Sequence, residues 1–143
     1  MKRFDFRLQT LLNHRARKEE EHGAVLAHLR GELATVKKTL TAIDAEVRTT
    51  TEHQHRDMAG GDLNSARLAQ DYLHALAVRR EEQVARQEGL TEAIATAQAD
   101  YLIARRDHRA VETLRQRDWT AYRADALHEE QKEMDEIAGR RRG

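Results

Sequence analysis

The sequence predicts an all-α protein: an antiparallel two-helix coiled-coil hairpin with a longer C-terminal helix. Three observations carry this expectation. The 143 residues contain no proline, where ordinary usage would supply about seven. Ala, Glu, Lys, Leu and Arg make up about 54% of the chain, a composition that belongs to long helices when a heptad period accompanies it. One strong interruption, Asp57-Met58-Ala59-Gly60-Gly61-Asp62-Leu63-Asn64-Ser65, places paired glycines among Asp and Asn, which ends a helix and makes a turn. The expected organisation is one coiled-coil domain over residues 1–143: a helix over about 4–56, a turn over about 57–63, a helix over about 64–138 and a basic tail at 139–143.

The first helix carries a heptad seam. Leu26, Leu29, Leu33, Val36, Leu40, Ile43 and Val47 alternate steps of three and four, the a/d stripe of a coiled coil. The second helix carries Leu73, Leu76, Leu90, Ile94, Ala97, Tyr101, Ala104, His108 and Val111 on one such frame, with Arg80, Gln83 and Gln87 as polar members and Val84 beside them. Asn64 or Ser65 would cap this helix. The pairs Asp44–Arg48, Glu52–Arg56 and Glu82–Arg86 have the i,i+4 order that supports a helix by a few tenths of a kcal/mol each.

A turn near residue 60 makes facing residues sum to about 120. Leu26 then meets Ile94, Leu29 meets Leu90, Val36 meets Val84 and Val47 meets Leu73. Two independently read apolar seams thus coincide under one register. The same register sets Arg15, Glu19 and His22 opposite Arg105, Tyr101 and Gln98, so this stretch is expected to fray more easily than the middle. It also leaves the second helix beyond about residue 115 without a partner. That overhang holds the only Trp, and Trp119, Tyr122, Ala126, Glu130, Met134 and Ile137 share one face of it, which reads as a docking surface.

Composition excludes several classes. Without cysteine there is no disulfide, thiolate zinc site or Cys nucleophile. No apolar run approaches the ~18 residues of a membrane span. The stretch Met1-Lys2-Arg3-Phe4-Asp5 lacks an apolar core, so no signal peptide is expected and the simplest location is cytoplasmic. Lys and Arg equal Asp and Glu, 25 against 25, so nothing general favours nucleic acid. Charge is uneven locally: residues 1–18 and 101–117 are basic, 125–136 acidic. His53-Gln54-His55 diverge on a helix, and no phosphate loop or nucleophile motif occurs. No metal, cofactor or catalytic residue is expected. Near the turn, Leu68, Tyr72, Leu76 and Arg79 run along one line. Leu76 also fits the seam, while Tyr72 falls one position off it, at an edge where an aromatic can anchor a partner.

Phe4-Asp5-Phe6-Arg7-Leu8-Gln9-Thr10-Leu11-Leu12-Asn13-His14-Arg15 and Glu130-Gln131-Lys132-Glu133-Met134-Asp135-Glu136-Ile137-Ala138 resemble the N-terminal and C-terminal signatures of the flagellar export protein FliJ family. The resemblance implies a coiled-coil component of the flagellar type III export apparatus, similar to the γ stalk of F-type ATPases. Its implied partners are the hexameric export ATPase FliI, whose assembly it promotes, the export gate protein FlhA at the inner membrane, and export chaperones. By the family's gate-binding pattern, Tyr72 and Leu76 match, while Arg79 and Gln83 replace an Ala and a His. The gate-binding face is then Leu68, Tyr72, Leu76 and Arg79. The ATPase-binding base is Arg3, Phe6, Arg7, Arg109, Trp119 and Tyr122. Two other readings are a virulence-type injection stalk and a generic scaffold that self-associates through its seam. The hairpin reading instead predicts a monomer of 16.5 kDa whose mass does not change on dilution.

Overall fold

The computed structural model describes residues 2–143. Two helices, α1 (Gln9–Ala59) and α2 (Leu63–Arg142), account for nearly all of them, and no strand occurs among the described residues. They form the expected antiparallel hairpin. Two compact units can be distinguished, one of Ala24–Ala99 and one in which the residues up to Gly23 pack with Asp100–Gly143.

In the Ala24–Ala99 unit, the two seams bury each other. Leu26, Val36, Ile43, Leu76, Leu90 and Ala97 are buried, and Leu29, Leu33, Leu40, Val47, Leu73, Val84 and Ile94 are half-buried between them. Each helix is polar elsewhere, so removal of this one stripe from water is the main favourable term. The polar seam position Arg80 stays exposed and reaches across, its Nε donating to Asp44 Oδ1 at 3.0 Å. Asp44 therefore serves the partner helix rather than Arg48. None of the three expected i,i+4 pairs is formed among the described residues, where His28–Glu32 and Lys18–Glu21 are the local pairs three or four apart.

The turn is tighter than the expected 57–63. Asp62 N–H donates to Asp57 O (2.8 Å) and Gly61 N–H to Met58 O (3.2 Å), with Gly61 at φ 80°. This is a Schellman ending, and only glycine takes that φ without strain. Asp62 then caps α2: its Oδ1 accepts from Ser65 N–H at 3.1 Å and its Oδ2 from the Ser65 hydroxyl at 2.8 Å. The cap is thus Asp62, not Asn64 or Ser65, because the helix already begins at Leu63.

In the unit of the two termini, Ala104 and Val111 of α2 are buried, with Leu8, Leu12 and Ala16 half-buried. The Tyr101 ring lies so close to Gly23 that a Cβ there would stand 3.4 Å from it. Helix α1 starts at Gln9 rather than near residue 4. Phe4 and Phe6 explain the difference: two residues apart, they diverge on a helix but share one side of an extended segment. Phe6 is buried and Phe4 half-buried. At the other end α2 continues through Arg142 instead of stopping near 138, with Arg140, Arg141 and Arg142 in its last turn, where positive charge suits the helix dipole.

Two outcomes follow from these contacts. Leu76 is 1% exposed, so Leu76→Ala should lower unfolding stability by about 2–5 kcal/mol in urea titrations followed by circular dichroism. Hydrogen bonds from Ser65 hold the Asp62 carboxyl below its ordinary value of 3.8, so the ionised cap stabilises above that value and the contribution is lost as pH falls through the lower folded-state value. Asp62→Ala should melt at lower temperature than the parent at pH 7, and the gap should shrink as the pH drops below about 3.8.

Candidate partner-binding surfaces

The terminal unit presents an aromatic cluster. Residues 2–8 run without helical structure against α2, and Phe4 meets Trp119 edge-on with centroids 5.1 Å apart and Tyr122 at 5.4 Å. Trp119 and Tyr122 stack at 5.7 Å. The Arg115 guanidinium stands 5.6 Å from the Phe4 centroid, within cation–π range, and its Nε donates to Gln9 Oε1 at 3.2 Å. The Tyr122 hydroxyl donates to the Lys2 carbonyl. The expectation of an unpartnered overhang is therefore corrected: the chain's own N-terminal segment covers Trp119 and Tyr122. The open stretch lies further along α2, where Leu127, Met134 and Ile137 are exposed.

Of the residues expected at the ATPase-binding base, Arg3, Arg7 and Arg109 are exposed, Trp119 is 38% exposed and Tyr122 is half-buried. Phe6 is buried and has no face to offer a partner. It anchors the segment, and Gln9 N–H donates to its carbonyl at 3.0 Å. Sequence reasoning missed Phe4 and Arg115. The alternation Phe4-Asp5-Phe6 was the available signal, because a period of two marks an extended segment with one buried side.

Behind the cluster the seam turns polar. Arg15 Nη1 meets Asp107 Oδ2 at 3.2 Å, and Glu19 pairs with His108. Asp107 lies two residues past Arg105, the partner the register expects for Arg15, and His108 lies seven residues, about two turns, past Tyr101, the partner expected for Glu19. The Glu19 and His108 side chains are only 23% and 22% exposed. The interaction is thus a paired polar layer rather than an open gap. An open groove of about 220 Å³, lined by His14, Arg15, Lys18, His22 and Asp107 among others, flanks it.

In the Ala24–Ala99 unit, Leu68, Tyr72 and Arg79 are exposed along one face, Leu68 at 70% and Tyr72 at 47%. Leu76 is the most buried large side chain among the described residues, so it leaves the proposed gate-binding face and belongs to the seam. Helical spacing puts exposed Ala75, rather than Leu76, between Tyr72 and Arg79. The Tyr72 hydroxyl donates to the Glu46 carboxylate, and this bond raises the phenol above its ordinary value of 10.0. The hydrogen bond orients the ring beside the α1 surface. Met58 and Leu63, at the turn, are also exposed.

Among the described residues, no group of three or more His, Cys, Asp or Glu side chains is placed to hold a metal ion. Among the same described residues, no helix is long and apolar enough to cross a membrane. What the fold defines is an all-α helical-hairpin coiled-coil protein. Residues 4–142 match the family model described as "Flagellar FliJ protein". The chain belongs to the FliJ family and is a coiled-coil component of the flagellar type III protein-export system. Comparison with curated proteins and with solved structures gives no significant match.

The polar layer makes a quantitative expectation. Removing one member strands the other in the seam, so Glu19→Ala should cost about 1–3 kcal/mol. The double change Glu19→Leu with His108→Leu should recover much of that, as apolar replacement of a sparingly hydrated pair often does. Denaturant titration of the three variants measures both.

Proposed function

We propose that this protein is the central stalk of the flagellar export ATPase ring, promotes assembly of that ATPase, couples it to the export gate and takes part in export chaperone cycling. The observation that carries the reading is the family match across residues 4–142. Two exposed and chemically different surfaces support it. The terminal unit offers a basic and aromatic surface built on Arg3, Arg7, Arg109, Trp119 and Tyr122, which we assign to the ATPase. The turn unit offers Leu68, Tyr72 and Arg79, which we assign to the gate protein. A stalk acts by being recognised along a stiff paired helix, and it requires no pocket. The protein acts on the cytoplasmic face of the inner membrane, held there by its partners. In isolation it is a monomer.

The reading is tested first in cells. Deleting the gene should abolish swimming and flagellin secretion, and restoring the intact gene should recover both; normal swimming and secretion without the gene would refute an export role. Purified components test the two assignments. Arg3→Glu, Arg7→Glu and Arg109→Glu together should weaken association with the export ATPase at least about tenfold, or 1.4 kcal/mol, with helicity unchanged. Leu68→Ala with Tyr72→Ala should weaken binding to the gate protein's cytoplasmic part while ATPase association persists. Unchanged affinity in either case removes the corresponding assignment.

A further inference from the structure

The N-terminal segment is held on α2 by few contacts, and they divide in two. Phe6 is buried and ties the segment to the start of α1 through the bond from Gln9 N–H to its carbonyl. Beyond it, residues 2–5 depend on Phe4, which touches Trp119, Tyr122 and Arg115, and on the bond from the Tyr122 hydroxyl to the Lys2 carbonyl. Phe6 is therefore a fixed point and Phe4 a releasable one. Phe4 is only half-buried while Phe6 is buried, so the outer part of the segment is held less firmly than the part at Phe6.

Charge works against that closure. The segment carries Lys2, Arg3 and Arg7 with Asp5 as its only acid, and α2 presents Arg109, Arg115, Arg117 and Arg123 beside Glu112 and Asp118. Closing Phe4 onto Trp119 brings two net-positive stretches together. It also leaves an open groove of about 530 Å³ lined by Arg3, Phe4, Asp5, Phe6, Gln9 and Arg115. Two guanidiniums from distant parts of the chain border this groove, and guanidinium is the donor best matched to a carboxylate. Asp5, also on its rim, disfavours a weakly charged ligand and leaves the net field positive.

We propose that residues 2–8 are a latch: closure of Phe4 onto Trp119 and Tyr122 assembles a cationic docking surface for an acidic protein segment, and closure and docking are thermodynamically coupled. The inference rests on the ATPase-binding role assigned to this face and adds how that face is built and regulated. An acidic segment relieves the repulsion between latch and helix, so binding favours the closed form. By reciprocity, anything that favours closure raises the affinity for the acidic segment, and the apparent affinity scales with the fraction of molecules closed. Salt acts on the free protein in the same direction, because it screens the like charges that oppose closure.

Trp119 is the only tryptophan, so its fluorescence reports the latch directly. In the full-length free protein, acrylamide quenching should fall as salt is raised from low to moderate concentration, and should fall again when poly-L-glutamate is added at low salt. Phe4→Ala should red-shift the emission and raise quenching, with far-ultraviolet circular dichroism unchanged. It should also weaken poly-L-glutamate binding about tenfold, the consequence of a tenfold smaller closed fraction, although every charge remains. Phe4→Tyr, which keeps the ring, should restore both. Phe4→Ala with parental poly-L-glutamate affinity would overturn the coupling, as would poly-L-glutamate making Trp119 more accessible, which would mean the ligand displaces the latch. These readouts use no ATPase. Failure of the latch leaves the ring-binding assignment open to its own charge-reversal test, and failure of that assignment leaves Trp119 quenching as measured.

Discussion

The structure depends on one exchange: each helix removes a single apolar stripe from water by covering the other's. Helix α1 is polar around most of its circumference, and so is α2. Where the two helices of 51 and 80 residues face each other, their stability comes mostly from packing an amphipathic face. Leu26, Val36, Ile43, Leu76, Leu90 and Ala97 carry that packing in the Ala24–Ala99 unit. The turn serves them. Gly61 at positive φ and the Asp62 cap return the chain within three residues and bring the two stripes together.

The terminal unit solves a different problem with less apolar material. Leucine gives way there to Arg15, Glu19, Asp107 and His108, and these side chains satisfy one another across the seam. The pairing keeps both helices together while contributing little net stability. Phe4, Phe6, Trp119 and Tyr122 then supply the burial that the seam lacks. The aromatic cluster ties the start of the chain to α2 past the point where α1 has ended.

Family membership and surface chemistry point the same way. The exposed side chains differ between the two units. Leu68, Tyr72 and Arg79 form a mixed apolar and basic face in one unit. In the other, basic residues surround an aromatic cluster, and further along α2 the acidic stretch 125–136 changes the sign of the surface.

Much of the fold was legible because a heptad is a local code. Every member of the α1 seam from Leu26 to Val47 is buried or half-buried, as are the apolar members read for α2, since spacing of three and four decides which residues share a face whatever the partner. Residues that serve two periodicities were not legible. Leu76 fits both an exposed line and the seam, and only the facing helix decides that it is covered. Phe4 and Phe6 fit a helix by composition, yet they lie outside it: Phe6 is buried, and Phe4 meets Trp119 and Tyr122, more than a hundred residues away in sequence. Asp44 has an eligible partner one turn along its own helix and chooses Arg80 on the other. The sequence by itself determined the two helices, their seam, the place of the turn and the family. The tertiary structure decided which polar groups pair and where the N-terminal segment lies, because those choices compare contacts within one helix against contacts between helices, and that comparison exists only once the chain has folded back on itself.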